Sequence, residues 1–212
     1  MKIGIIGSGN IGATAAKLFA NAGHEVAISN SRGPESLTSV VNSIGANVKA
    51  KSVEDAIKFG EVILLAIPWR KRQELLPASE LFDSKIVIDA MNPYSENFEI
   101  IDLDNSTSSS EEVLKKIPSS SRLVKAFNTI YYEHLGTRGD PNLSKEQRFA
   151  IFVAGDDTDA KATVSKLIED IGFAAVDTGS LKEGGRKQQP GSPIYNNPMT
   201  AKVAHERIAE IA

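Results

Sequence analysis

Three glycines and one arginine carry the clearest chemistry in this sequence. Gly7, Gly9 and Gly12 form the run Gly7-Ser8-Gly9-Asn10-Ile11-Gly12, a G-x-G-x-x-G. It follows the apolar stretch Ile3-Gly4-Ile5-Ile6 and opens a segment with Ala13, Ala16, Leu18 and Phe19 as packing positions. A strand feeding a helix through such a turn is the phosphate-binding half of a dinucleotide site. Gly7 permits the tight turn, Gly9 lets the backbone approach a pyrophosphate, and Gly12 lets helix and strand pack closely. The helix N-terminus adds free N–H groups and a partial positive charge.

The end of the second apolar segment selects the dinucleotide. NAD sites place a carboxylate there to hold the ribose 2′-OH. Here the chain reads Ile28-Ser29-Asn30-Ser31-Arg32-Gly33-Pro34, with no carboxylate before Glu35. A guanidinium matches phosphate geometry with paired hydrogen bonds, and the Ser31 hydroxyl can donate another. The expected cofactor is therefore NADP(H).

These residues need a scaffold, and the patterning predicts one. Short β-branched runs alternate with longer helical stretches, as in a parallel sheet covered on both faces. Strands are expected near 2–6, 25–29, 47–50, 61–67, 85–89 and 123–127, with helices over 11–22, 34–44, 53–58 and 70–76. Residues 95–121, with serine runs at 106–110 and 119–121, read as a surface excursion carrying one short helix around 110–117. Two more strands are expected at 149–153 and 173–176, with a helix over 158–171 between them. A Gly/Gln/Pro-rich loop over 184–198 and a polar helix over 199–211 complete the pattern.

The expected fold class is α/β, a Rossmann doubly wound, mostly parallel sheet with a short C-terminal helical segment. Residues 1–180 form the expected NADP-binding domain. Residues 181–212 supply a loop and helix packing on that domain or on a dimer partner.

Composition narrows the function classes. The 212 residues carry 24 Lys and Arg against 27 Asp and Glu, a formal net charge of −3, so no polyanion-binding face and no nucleic-acid partner are expected. The absence of cysteine removes disulfides, thiolate metal sites and cysteine nucleophiles, and three scattered histidines (His24, His134, His205) make a poor metal set. No secretory signal and no apolar run of membrane-spanning length is evident, so a cytoplasmic protein is expected.

Further motifs bring a family into view. The glycine run, Asn30-Ser31-Arg32 and Ala66-Ile67-Pro68-Trp69 together resemble the NADP-dependent reductases of the deazaflavin coenzyme F-420. Val124-Lys125-Ala126-Phe127-Asn128-Thr129 is also similar to the cytosolic reductase domains of transmembrane ferric reductases. The resemblance spans essentially residues 1–180. It implies that Ser8, Ser31 and Arg32 contact the adenosine 2′-phosphate and that Ile67-Pro68-Trp69 lies along the dinucleotide. It also implies that Arg70-Lys71-Arg72 lies near the cleft, with Asn92-Pro93 near the ribose and nicotinamide. Ala126, Asn128 and Thr129 would then form the floor beneath the nicotinamide and a second cofactor.

The chemistry expected is hydride transfer between NADP(H) and a flavin-like or deazaflavin acceptor. No Tyr-x-x-x-Lys occurs, His24 and His205 are not well placed to donate a proton, and His134 lacks an obvious carboxylate partner, so no catalytic acid or base is assigned. Ring-to-ring transfer needs stacked, oriented, water-shielded rings rather than a protein acid. The segment after the last predicted strand is too short for the large helical domain of pyrroline-carboxylate reductases or hydroxyacid dehydrogenases. A homodimer is expected. The competing reading is a non-catalytic NADP(H)-binding sensor module. Each segment also has a plainer reading: Arg70-Lys71-Arg72 as a solvated helix start, Trp69 as packing, Tyr131-Tyr132 as core or interface, Lys125 as a stem reaching water along the sheet edge.

Overall fold

The apolar runs assemble into one eight-stranded sheet in the computed structural model, which describes residues 1–45, 47–101, 103 and 107–211. The elements of the N-terminal half are β1 (Lys2–Ile6), α1 (Asn10–Asn21), β2 (Glu25–Ser29), α2 (Thr38–Ile44), β3 (Val48–Ala50), α3 (Val53–Phe59), β4 (Val62–Leu65) and β5 (Ile86–Asp89). They are followed by α4 (Ser109–Leu114), β6 (Arg122–Ala126), α5 (Tyr132–Thr137), β7 (Ala150–Gly155), α6 (Thr158–Asp170), β8 (Ala174–Gly179), α7 (Glu183–Lys187) and α8 (Ala201–Glu210).

The strand order is β3-β2-β1-β4-β5-β6-β7-β8, parallel except where β7 runs against β6. The chain winds outward from β1 to β3, then returns to β4 and winds the other way. That reversal puts a crevice at the C-terminal ends of β1 and β4, where ligands bind in open α/β sheets. The fold is the expected Rossmann arrangement with two strands added at one edge.

Helices cover both faces because the central strands are apolar on both. Val62, Ile63, Leu64 and Leu65 of β4 are all buried. Val62 and Leu64 join a core with Ala15, Ala16 and Phe19 of α1 and with Leu167 and Ile168 of α6. Ile63 and Leu65 join the opposite core with Ala56 and Ile57 of α3, Phe82 and Val113. Helix α1 buries Gly12, Ala15, Ala16, Phe19 and Ala20, an i, i+3, i+4 stripe. Helix α8 packs on the sheet edge through Ala201 and Ala204, against Phe152 and Val176.

Several local expectations differ from the structure. The segment 34–44 begins as a 3-10 turn, Pro34–Leu37, before α2, since Pro34 at its start lacks an N–H and suits a first turn. The segment expected as a helix over 70–76 is a longer series of 3-10 turns, Trp69–Phe82, which Pro77 would have interrupted as an α-helix. Within the expected 184–198 loop, Glu183–Lys187 forms α7 despite Gly184 and Gly185. Gly184 is required by packing, because a Cβ there would come within 2.7 Å of the Thr178 backbone on β8.

The stretch 95–121 is a surface excursion only in part: residues 96–100 and Ser119-Ser120 are exposed and the expected short helix is present as α4, but its first serine run turns inward. Ser108, Ser109 and Ser110 are fully buried, and Ser106 lies outside the described residues. Ser108 caps α4 in a box with Glu111, so its hydroxyl and the Glu111 carboxylate satisfy the helix's first N–H groups.

Candidate functional site

The glycine run forms the floor of the crevice. Gly7 has φ +113°, a left-handed conformation that only glycine adopts without strain. A Cβ on Gly12 would overlap the Gly7 carbonyl oxygen, so the turn and the first turn of α1 require glycine at both positions. Gly9 differs: a Cβ there would meet nothing within 4 Å. The protein leaves that space open, at the N-terminus of a helix that no side chain caps and no acidic residue precedes. Such a cradle, with unpartnered N–H groups, fits a diphosphate.

Asn30 joins this turn to the end of β2. Its Nδ2 donates to Ser8 Oγ at 3.1 Å and to Ser36 Oγ at 3.0 Å, and its Oδ1 accepts from the Arg32 N–H at 2.9 Å. The Asn30 side chain is therefore spent on organising the loop that displays Ser31 and Arg32. Both of those residues are exposed, and among the described residues no carboxylate pairs with the Arg32 guanidinium.

A cleft of about 470 Å³ unites these groups. Gly7, Ser8, Gly9, Asn30, Ser31, Arg32, Ala66, Ile67 and Pro68 all line it, as the sequence predicted. Lys71 lines it too, matching one residue of the basic triplet expected near the cleft. Ile6, Val53, Glu54, Glu74 and Ala78 complete the wall and were not anticipated. Ile6 ends β1, while the other four come from α3 and the 3-10 segment, whose approach to the cleft is a tertiary fact. Glu54 lies 4.0 Å from Lys58 and Glu74 3.5 Å from Lys71, so each carboxylate on the wall has a cation beside it.

Nine predicted residues lie outside that lining. Asn10, Ile11 and Gly12 form the first turn of α1 below the cradle. Trp69 is a packing residue: it is 2% exposed in the core with Leu65 and Phe82, and the Arg72 guanidinium sits 4.1 Å from its ring centroid. Ala126 is buried in the opposite core. Asn92, Pro93, Asn128 and Thr129 follow β5 and β6, next along the same row of strand ends.

These last residues form a polar cluster. Asn92 Nδ2 donates to the Asn128 carbonyl at 2.9 Å, and Asn128 Nδ2 donates to Asn92 Oδ1 at 3.0 Å and to the Gln188 carbonyl at 2.7 Å. Asn92 also reaches Tyr195 Oη at 3.4 Å, and Tyr94 Oη donates to the same oxygen at 3.3 Å. Burial and the Tyr94 hydrogen bond push the Tyr195 phenol well above its ordinary pKa of 10. Through Gln188 and Tyr195 the Gly/Gln/Pro-rich loop is thus tied to the ends of β5 and β6. Phe127 makes this geometry possible. It turns the chain with φ +66°, unusual for a bulky residue, while its ring is held edge-on to Phe19 at 6.0 Å.

Sequence reasoning missed a buried ion pair beneath this cluster. Lys125, expected to reach water, is wholly buried with its Nζ 3.2 Å from Asp89 Oδ2, and Asp89 is buried too. Alternation offered a clue: Leu123 and Val87 face the core containing α3 and Val113, so Lys125 and Asp89, two residues on, must face it as well.

Comparison with known proteins places the chain. Residues 2–93 match a family model described as NADP oxidoreductase, coenzyme F420-dependent. Over 180 residues the chain is 28% identical to the rat (Rattus norvegicus) metalloreductase STEAP3, covering 85% of this chain and 34% of that protein. The chain thus spans about a third of the length of that relative. Among solved structures, the hypothetical protein SMa0349 of Sinorhizobium meliloti superposes with a TM-score of 0.84 at 35% identity, over 94% of this chain and 95% of the other. A protein described as an F420-dependent NADP-reductase, from Arthrobacter sp. FB24, superposes with a TM-score of 0.72 at 23% identity, over 100% and 91% of the two chains. At that identity the second likeness speaks to the fold. No helix among the described residues is long and apolar enough to cross a membrane.

Proposed function

We propose that the chain is an NADP-dependent oxidoreductase of the coenzyme F420-dependent kind whose hydride partner is a planar flavin-like or deazaflavin ring, a reading supported by the family match over residues 2–93. Bound NADPH supplies a hydride. The N–H groups at Gly9 and the start of α1 hold the diphosphate. Ser31 and Arg32 hold the 2′-phosphate, with Lys71 as a second cation on the same wall. Ile67 and Pro68 confine the dinucleotide from the other side. The acceptor ring lies beyond them, where Asn92, Asn128 and Tyr195 supply hydrogen-bonding groups at the ends of β5 and β6.

One observation carries this reading: a single cleft is lined by both Gly7–Gly9 and Asn30–Arg32. The neighbouring polar cluster holds amides and phenols, groups that orient a heteroaromatic ring. Catalysis by positioning suits a site whose Tyr195 phenol is held protonated, chiefly by burial.

The test is isotope transfer. Deuteride from stereospecifically labelled NADPH should appear at C5 of a deazaflavin, which retains it, whereas a reduced flavin would lose it to water. Failure of the NADP-loaded protein to bind either ring, together with turnover of an aldehyde, ketone or imine, would overturn the acceptor assignment.

A further inference from the structure

The buried pair Asp89 and Lys125 has a place in the site that neither the cofactor cleft nor the acceptor cluster uses directly. The two residues are cross-strand partners at the ends of β5 and β6, and both side chains are wholly buried. Their bonds converge on one residue. Lys125 Nζ donates to the Met91 carbonyl at 3.0 Å, and Asp89 Oδ1 accepts from the Met91 N–H at 2.9 Å. Ser110 Oγ steadies the carboxylate as well, donating at 2.6 Å to Oδ2, the oxygen that also accepts from Lys125. The backbone of Met91 is therefore clamped at both polar groups, and the next residue is Asn92, which grips Asn128.

Stability alone does not explain this arrangement. Desolvating two charges offsets most of their attraction, and an apolar pair of like volume often serves as well or better. A hydrogen-bonded ion pair does, however, fix direction, which apolar packing does not. Sites that work by orientation need their contact groups locked by supporting hydrogen bonds.

We propose that Asp89 and Lys125 are positioning residues that hold Asn92 and Asn128 in register for the acceptor ring, a role that rests on the ring-acceptor reading above. Neither side chain touches the ring. They act through Met91: the clamp sets the direction of the chain leaving β5, and with it the Asn92 amide and the double bond to Asn128.

The decisive variant is Asp89→Asn/Lys125→Met. It removes both charges at nearly constant shape and leaves no unpaired charge behind. The new amide still accepts from the Met91 N–H through its oxygen and can donate to Ser110 Oγ through its nitrogen, but the bond from Lys125 to the Met91 carbonyl is lost. Cooperative unfolding near the wild-type midpoint is expected, with NADPH affinity unchanged to within about twofold. Amide hydrogen exchange at Met91 and Asn92 should rise by about tenfold or more, and kcat with the ring acceptor should fall by a similar factor. Exchange is the readout that needs no turnover. Unchanged exchange and unchanged kcat in the folded double variant would overturn the inference.

Should the double variant not fold, Ser110→Ala replaces it. The same two changes are expected there at smaller size, and the absence of both would overturn the inference equally. Wild-type protein that turns over no flavin or deazaflavin would sink the acceptor reading instead. Exchange at Met91 and Asn92 would then still decide whether the pair holds this loop.

Discussion

Asn92 and Asn128 hold each other twice, each side-chain amide donating to an oxygen of the other residue at 2.9 and 3.0 Å. The pairing closes the gap between the loops after β5 and β6, and Asn128 extends it to the Gln188 carbonyl. Asn128 is 4% exposed, so truncation leaves its former acceptors short of a donor in a buried setting. Asn128→Ala should therefore lower unfolding free energy by about 1–3 kcal/mol. Urea denaturation measures this, and a loss indistinguishable from zero would show that the cluster is not structurally coupled.

Arg32 should read the 2′-phosphate. Loss of a charge-assisted contact costs about 1.5–3 kcal/mol, or roughly 10- to 100-fold in affinity. Arg32→Ala should weaken NADPH binding by that factor and leave NADH nearly unaffected. Titration calorimetry with both cofactors decides the point, since equal weakening would remove Arg32 from the phosphate site.

The glycines of the turn should separate cleanly. Gly9 has φ −72° and open space at its would-be Cβ, so Gly9→Ala should fold normally yet lose dinucleotide binding. Gly12→Ala drives a methyl into the Gly7 carbonyl and should cost about 1–3 kcal/mol of stability. Thermal melts paired with NADPH titration distinguish them. Normal binding by Gly9→Ala would place the diphosphate elsewhere.

The ion pair should behave non-additively. Lys125→Met alone strands a carboxylate that is wholly buried, at a cost of about 3–5 kcal/mol. Adding Asp89→Asn should recover most of that loss. Denaturation of the two single variants and the double variant gives the coupling directly, and additive losses would mean the charges do not interact.

His24 should make stability pH-dependent. Burial lowers its pKa below 6.5, helped by the N-terminal ammonium and Lys166, and these outweigh Asp170, whose Oδ2 lies 3.3 Å from Nε2. The unfolded chain therefore binds a proton more readily than the native one. The native neutral ring contributes stability that is complete above the unfolded pKa and is lost as pH falls below it. Comparing wild type with His24→Gln in urea at about pH 7.5 and about pH 5.5 should show the wild-type advantage shrinking in acid. A constant difference would argue that His24 does not titrate differently on folding.

Local pattern alone determined the sheet, the glycine turn and the display of Ser31 and Arg32. Each of these depends on residues close in sequence: a β-branched run, a turn needing φ +113° at Gly7, an amphipathic stripe in α1. The nine predicted residues that line the cleft all come from three strand-end loops of this kind. Tertiary structure decided the rest. Trp69 could have faced cleft or core, and the turn geometry of Trp69–Phe82 sent it inward against Phe82 and Arg72. Glu54 and Lys71 reached the cleft wall because α3 and that segment fold over it. Lys125 reads as a surface residue until β5 is known to lie beside β6, in the register that sets Asp89 opposite it. A charge can be buried only where a partner waits, and that partner lies 36 residues away in the chain. Such pairings are properties of strand order and register, which the spacing of residues along one strand does not contain.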